Sequence, residues 1–233
     1  MENKIVKYDS VEVSEPLMPA TPPRRDRVVV EVPAGSNAQK IQDIIDTVVK
    51  RGTARPVIHL SAGTYPMDRT LVIPDGSDLQ LCGDGPATIL HWTGNEDGNV
   101  LWVVAPSHAT VRDLVIDGAK TADGMVVENA DQAGARVLMD QVNLRSAQEA
   151  GLLVDRLRCA DVSLLNVNHA DSALGIKVVG TGTAGTNNSA TGRTVIFCGS
   201  SSNNELSYDV ANGGRLLVRD TWYESGNYPR FMR

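Results

Sequence analysis

The side chains best suited to chemistry in this chain are two carboxylates, Asp171 and Glu224, accompanied by Asn143, Arg145, Asn168, His169 and Trp222. A carboxyl pair can divide the work of hydrolysis, one protonated as general acid and the other activating water. Where the two face each other across about 6.5–9.5 Å, the outcome is an inverting glycoside hydrolysis. An indole offers a flat face for a sugar ring, while amides and a guanidinium offer planar groups for its hydroxyls. Asp171 and Glu224 are therefore the catalytic candidates, and Arg145, Asn143, Asn168, His169 and Trp222 the substrate-binding candidates. No metal and no cofactor is expected, because no cysteine pair has C-x-x-C spacing and the four histidines are scattered.

These residues are distant in sequence, and what would gather them is a repeat. Ala109-x-Val111-x-x-Leu114-x-Ile116 aligns with Val137-x-Met139-x-x-Val142-x-Leu144 and with Val162-x-Leu164-x-x-Val167-x-His169. The interval is 28 residues from Val111 to Met139 and 25 from Met139 to Leu164. From Leu164 to Val218, in Leu216-x-Val218-x-x-Thr221-x-Tyr223, it is 54, read as two turns of 27 with one less regular turn between. A second apolar run follows each of the first, beginning at Gly124, Gly151, Gly175 and Leu206. Short strands recurring at such an interval predict one repeat per rung of an all-β solenoid with strands stacked in parallel.

The alignment makes columns. Asp113, Gln141, Asn166 and Asp220 fall at a bend, where short polar side chains serve turns more than substrates. One outward column reads Val115, Asn143, Asn168, Trp222; the next reads Asp117, Arg145, Ala170, Glu224, with Gly118, Ser146, Asp171 and Ser225 beside them. Neighbouring rungs lie about 4.8 Å apart, so Asp171 and Glu224, two rungs apart, would be about 10 Å apart at the backbone. The same columns admit plainer readings. Asp117 and Arg145 can be a surface ion pair worth about 0–1 kcal/mol. His169 stands where Ile116, Leu144 and Tyr223 point inward, which is the place of a hydrogen-bonded core histidine.

One segment has helical periodicity. Ile41, Ile44, Ile45, Val48 and Val49 share a face, Ser36 with Gln39 can form a capping box, and Gly52 can end the helix. Its expected place is over the open first rung. Residues 28–90 resemble the opening of the pectate-lyase superfamily of right-handed parallel β-helices: a β-run, a capping helix, Ser61-Ala62-Gly63-Thr64-Tyr65 in place of "P-x-G-T-Y", and Leu81-Cys82-Gly83-Asp84-Gly85 as the "L-x-G-x-G" turn. Ser36-Asn37-Ala38 replaces the family's Asp-Asp-Thr, and Ser61 stands where proline is common. The resemblance implies a single-stranded right-handed parallel β-helix with an N-terminal α-helical cap, and an activity of the glycoside hydrolase or polysaccharide lyase kind. The family's catalytic sets are missing: neither the Asn-x-Asp, Asp-Asp, Gly-His-Gly and Arg-x-Lys group of polygalacturonase-like hydrolases nor the calcium aspartates and Arg-x-Pro-x-x-Arg of pectate lyases is found.

Composition fits one domain. The chain has 233 residues with 21 Gly, which suits tight turns, and a net charge of −6, which disfavours nucleic acid. No apolar run is long enough for a membrane, and the N-terminus lacks a signal-peptide pattern; the expected location is extracellular or periplasmic, the alternative being a protein that stays inside the cell. Residues 1–27, with Pro16, Pro19, Pro22 and Pro23, read as an extended arm or linker, and 28–233 as the β-helix domain. No capping element precedes Arg233, which suggests a truncated end, a further domain or self-association through the last rung. Cys82, Cys159 and Cys198 read as buried free thiols. Residues 180–192 interrupt a rung as a polar insertion and include the glycosylation-type triplet Asn187-Asn188-Ser189. The expected partner is a polysaccharide, with catalysis, non-catalytic glycan binding and a structural solenoid of the spike or adhesin type as the three alternatives.

Overall fold

The computed structural model describes residues 5–8, 11–14, 28–52, 55–182, 191–224 and 230–232. Within the region read as an arm, β1 (Ile5–Tyr8) and β2 (Val11–Ser14) form an antiparallel ribbon of their own. The four prolines, most of the 180–192 insertion with its Asn187 triplet, Ser225 and Arg233 lie outside the described residues.

The remainder is all-β but for one α-helix and a 3-10 turn. In order it comprises β3 (Val29–Val32), α1 (Ala38–Arg51), β4 (Val57–Leu60), β5 (Gly63–Met67), β6 (Leu71–Ile73), β7 (Asp78–Gly83), β8 (Thr88–Trp92) and β9 (Gly98–Val104). There follow β10 (His108–Asp117), β11 (Ala122–Glu128), β12 (Arg136–Arg145), β13 (Ala150–Leu157), β14 (Asp161–Ala170), β15 (Leu174–Gly180), β16 (Arg193–Ser202) and β17 (Leu206–Ala211). The last are β18 (Leu216–Arg219), β19 (Trp222–Glu224) and β20 (Arg230–Met232).

From β8 to β18 successive strands alternate between two sheets. One runs β18-β16-β14-β12-β10-β7-β4-β3, with β19, β8 and β5 beside it; the other runs β20-β17-β15-β13-β11-β9-β6. Each pairing in these two sheets is parallel, as in β10 with β12 and β11 with β13. A chain that returns to the same sheet one layer on, always in the same direction, builds a stack of the solenoid kind. Its interior is filled by aligned aliphatic columns: Val111, Met139, Leu164 and Ile196 pair in sequence and are each at most 1% exposed.

Each long strand of the first sheet, and the junction between β18 and β19, bends at one residue in the left-handed region. These are Asp113 (φ 55°), Gln141 (54°), Asn166 (51°), Cys198 (59°) and Asp220 (52°). Asp and Asn tolerate that region best among non-glycine residues, which accounts for the polar column. Cys198 fills the bend in the turn that the repeat leaves unassigned. Leu164 pairs with Ile196 and Ile196 with Val218, so the interval of 54 divides unequally, 32 and then 22. The polar insertion stretches the first of these and gives the 27-residue average no physical meaning. The three cysteines are free but half-buried, not buried. Cys82 shares an outward column with His59 and Arg112, and burial raises its thiol pKa.

The helix has a different N-cap from the one the sequence suggests. Asn37 is the cap, its side chain accepting from the Lys40 N–H at 3.0 Å, while the Ser36 hydroxyl donates to the Pro33 carbonyl at 2.8 Å. Gly52 ends α1 in the left-handed conformation (φ 62°), its N–H donating to the Val49 carbonyl. Ala38, Ile41, Ile45 and Val48 are buried, and α1 packs on β5 and β6. β6 is the first strand of its sheet, and its edge is closed by Gln42, whose amide accepts from the Val72 N–H (2.8 Å) and donates to the Val72 carbonyl (3.0 Å). The helix thus satisfies backbone groups that a free edge would leave to a foreign strand.

The motif residues of 61–85 hold the first layers together. The Tyr65 hydroxyl donates to the Val32 and Ser61 carbonyls, at 2.9 and 2.8 Å. His59 is clamped between Glu31 (Nδ1 to Oε2, 2.5 Å) and Asp84 (Nε2 to Oδ1, 3.0 Å), and the other Asp84 oxygen accepts from the Ala62 N–H at 2.9 Å. The bond to Glu31 is the main cause that raises the His59 pKa above 6.5, and the Ala62 N–H the main cause that lowers that of Asp84 below 3.8. The His59 contribution to stability is full below its unfolded pKa and is lost as the pH rises through the raised folded value. That of Asp84 is present above 3.8 and is lost as the pH falls through its lowered value. The clamp is therefore strongest in mild acid. His59→Gln should lower the urea midpoint most in mild acid, and the gap to wild type should close as the pH rises above 6.5 and through the raised folded value. A gap that is constant over that range would remove the clamp from the account.

Candidate functional site

The pairing register assembles the outward columns. Val115 pairs with Asn143, Asn143 with Asn168, Asn168 with Ser200 and Ser200 with Trp222. In the adjacent column His91 pairs with Asp117, then Arg145, Ala170, Ser202 and Glu224 follow. Asn143, Asn168, Trp222, Arg145 and Glu224 therefore share one face. Ser200, Ser202 and His91 join them, from strands the repeat pattern does not align.

Within this face the groups are unequally free. The Asn168 amide donates to Asn143 Oδ1 (2.7 Å), and the Ser200 hydroxyl to Asn168 Oδ1 (2.8 Å), an amide ladder along the stack. Asp117 is 7% exposed, its Oδ1 accepting from the Ala119 N–H at 3.0 Å. Its Oδ2 meets Arg145 (Nε 3.0 Å, Nη2 2.9 Å) and His91 Nδ1 (3.3 Å). The carboxylate thus orients Arg145 and His91, both of which keep about two fifths of their side-chain surface in solvent.

Asp171 is exposed and lies at the corner after β14 with φ 54°; its carbonyl accepts from Lys120 Nζ. Ala170 is two strands from Glu224 through Ser202, so the two carboxyl-bearing backbones stand about 10 Å apart by strand spacing. That separation can bring the carboxyl groups into the range an inverting hydrolysis needs. Trp222, 70% exposed, stands two residues before Glu224 on β19.

His169 is not on this face. It is 1% exposed, with Nδ1 3.1 Å from the Asn204 amide nitrogen and Nε2 3.4 Å from the Tyr208 hydroxyl. Burial pushes its pKa down to about 4, so the ring is neutral at physiological pH. A ligand on the outer face cannot reach it. The surrounding polar core, with Asn204, Ser201 and Ser207 all buried, escapes the repeat pattern because it arises from a loop, the end of β16 and the start of β17.

No protein-family model matches the chain, and no curated protein matches it in sequence. A solved structure that is similar, ORF18 of Geobacillus virus E2, superposes with a TM-score of 0.57 at 15% identity, covering 79% of this chain and 40% of that one. The likeness is one of fold. This chain spans about two fifths of the length of the viral chain it matches.

Proposed function

We propose that this chain is a polysaccharide-directed protein built as a single-stranded right-handed parallel β-helix of pectate-lyase-like type, with α1 as its N-terminal cap. The observation that carries the reading is the exposed Trp222 in register with the Asn143–Asn168–Ser200 ladder and beside Glu224, a flat ring adjoining planar polar groups on one face. Such a protein would meet its glycan outside the cell or in a periplasm. Catalysis, where it occurs, would pair Asp171 with Glu224, one carboxyl as acid and the other as base.

Retention on polysaccharide gels tests binding, and release of reducing ends or unsaturated uronate from a polysaccharide panel tests cleavage. Trp222→Ala should abolish retention on neutral polysaccharide gels at unchanged thermal stability, since little of the residue is buried. Asp171→Asn and Glu224→Gln should each abolish any release while leaving retention in place. Retention on a neutral gel that survives Trp222→Ala would rule out this face.

A structural solenoid of the spike or adhesin type is the second reading. Leu217 is 51% exposed and Phe197 44%, on β18 and its neighbour β16, and β18 with β19 forms the end layer of that sheet among the described residues. Association through that edge, with no glycan retained, would favour it.

A further inference from the structure

The first halves of β10, β12, β14 and β16 present a second outward surface, across the bend from the face that bears Trp222. A groove of about 530 Å³ lies there, within the usual size range of ligand sites. One wall is a single column in register: His108, Arg136, Asp161 and Arg193. Opposite stands Arg55, its Nη2 donating to the Thr110 hydroxyl at 3.0 Å. The next outward column, Thr110, Leu138 and Ser163, makes the floor, an apolar side chain between two hydroxyls.

The charges do not cancel. Arg55 Nε lies 3.8 Å from Asp78, and Arg193 Nε 3.4 Å from Asp161. His108 Nε2 is engaged by the Gly134 carbonyl at 2.8 Å. Arg136 is exposed, and among the described residues no carboxylate lies within ion-pair distance of it. A chain of net charge −6 therefore holds a groove lined by three guanidinium groups and one carboxylate, Asp161, with Asp78 beside Arg55 and Arg136 left uncommitted. A guanidinium fork binds carboxylate, sulfate or phosphate oxygens in pairs. The Leu138 floor suits the C–H face of a pyranose ring, and Ser163 supplies a hydroxyl for the sugar's own, while the buried Thr110 hydroxyl holds Arg55 in place.

We propose that this groove is a binding site for an anionic glycan, a sugar bearing a carboxylate or a sulfate, with Arg136 on the anionic group. It rests on the polysaccharide-directed reading and adds to it the charge class of the sugar and a second place on the molecule. Calorimetric titration of the whole chain with oligogalacturonate, its neutral methyl ester and a sulfated oligosaccharide separates the possibilities. The free acid or the sulfated oligomer should bind at least about tenfold more tightly than the ester, and Arg136→Ala should abolish that preference at unchanged thermal stability. Arg193→Ala should weaken it less, because Asp161 already engages that group. Whichever anion shows the larger preference identifies the source of the charge.

Equal affinity for acid and ester, or a preference that survives Arg136→Ala, would overturn the site while leaving glycan binding through Trp222 intact. A single-stranded oligonucleotide bound as tightly as the glycan would reduce the groove to a general cationic patch and overturn it as well. If the chain binds none of these sugars and is retained on no polysaccharide gel, the polysaccharide reading itself falls.

Discussion

Gly124→Ala should be among the most damaging single-methyl additions in this chain. Met125, Leu152, Ile176 and Tyr208 pair in sequence across the second sheet, which stacks Gly124, Gly151, Gly175 and Ser207 immediately before them. A Cβ at Gly124 would lie 2.2 Å from the Gly151 carbonyl oxygen, and one at Gly175 would lie 2.2 Å from His169 Nδ1 and 2.6 Å from the Ser207 carbonyl. At Gly151 the contact is softer, 2.8 Å from the Gly175 oxygen. A carbonyl within the parallel ladder cannot withdraw without breaking its own hydrogen bond. The alanine restricts the unfolded chain and thereby gains about 0.4–1 kcal/mol, whereas overpacking costs about 1–3 kcal/mol, so the clash wins. Urea and thermal melts should show Gly124→Ala and Gly175→Ala more destabilised than Gly151→Ala, with a loss of about 2–4 °C in Tm per kcal/mol at this chain length. Three equal melting temperatures, or a stable Gly124→Ala, would mean that the layers are not held at this spacing.

That column shows where the sequence was legible. Glycines recurring before apolar runs mark strand starts because backbone approaches backbone there, and the same layers expose Asp113 and Asn166 as bends because few residues accept a positive φ. The outward columns through Asn143, Asn168 and Arg145 follow from the same alignment, since a period of two fixes which side chains face out. The unaligned turn was hidden for a physical reason. Cys198 occupies a bend that elsewhere carries Asp, Asn or Gln, and the insertion before β16 breaks the interval, so Ser200 and Ser202 were missing from their columns. The helix cap was displaced by one residue because Ser36 and Asn37 compete for it and the Pro33 carbonyl captures the Ser36 hydroxyl. The basic groove was beyond reach of a repeat alignment. It needs Arg55, from the segment between α1 and β4, to meet Thr110 in a different layer.

His169 gives the other large effect, and it should appear as a loss of stability in acid. Asn204 Nδ2 is a donor, so His169 Nδ1 accepts and the proton sits on Nε2, directed at the Tyr208 hydroxyl. That hydroxyl is itself pushed upward in pKa, chiefly by burial, and is no source of negative charge for an imidazolium. The folded chain keeps the ring neutral down to about pH 4, whereas the unfolded chain protonates it near 6.5. Between those values the unfolded state binds more protons, so stability falls as the pH falls. At about 1.4 kcal/mol per unit the loss is on the order of 3 kcal/mol across the window, a large share of what a single domain has. His169→Leu, which copies Leu144 in the same inward column, should be less stable than wild type at pH 7, because the buried Tyr208 hydroxyl loses the imidazole and the Asn204 amide keeps only the residue 169 carbonyl and the Ser201 hydroxyl as acceptors. Its stability should nonetheless decline less steeply between pH 7 and pH 4, so that the two urea midpoints converge. Parallel decline of the two proteins would show that the buried imidazole titrates alike in both states, and the polar core around Asn204 and Tyr208 would then have to admit water.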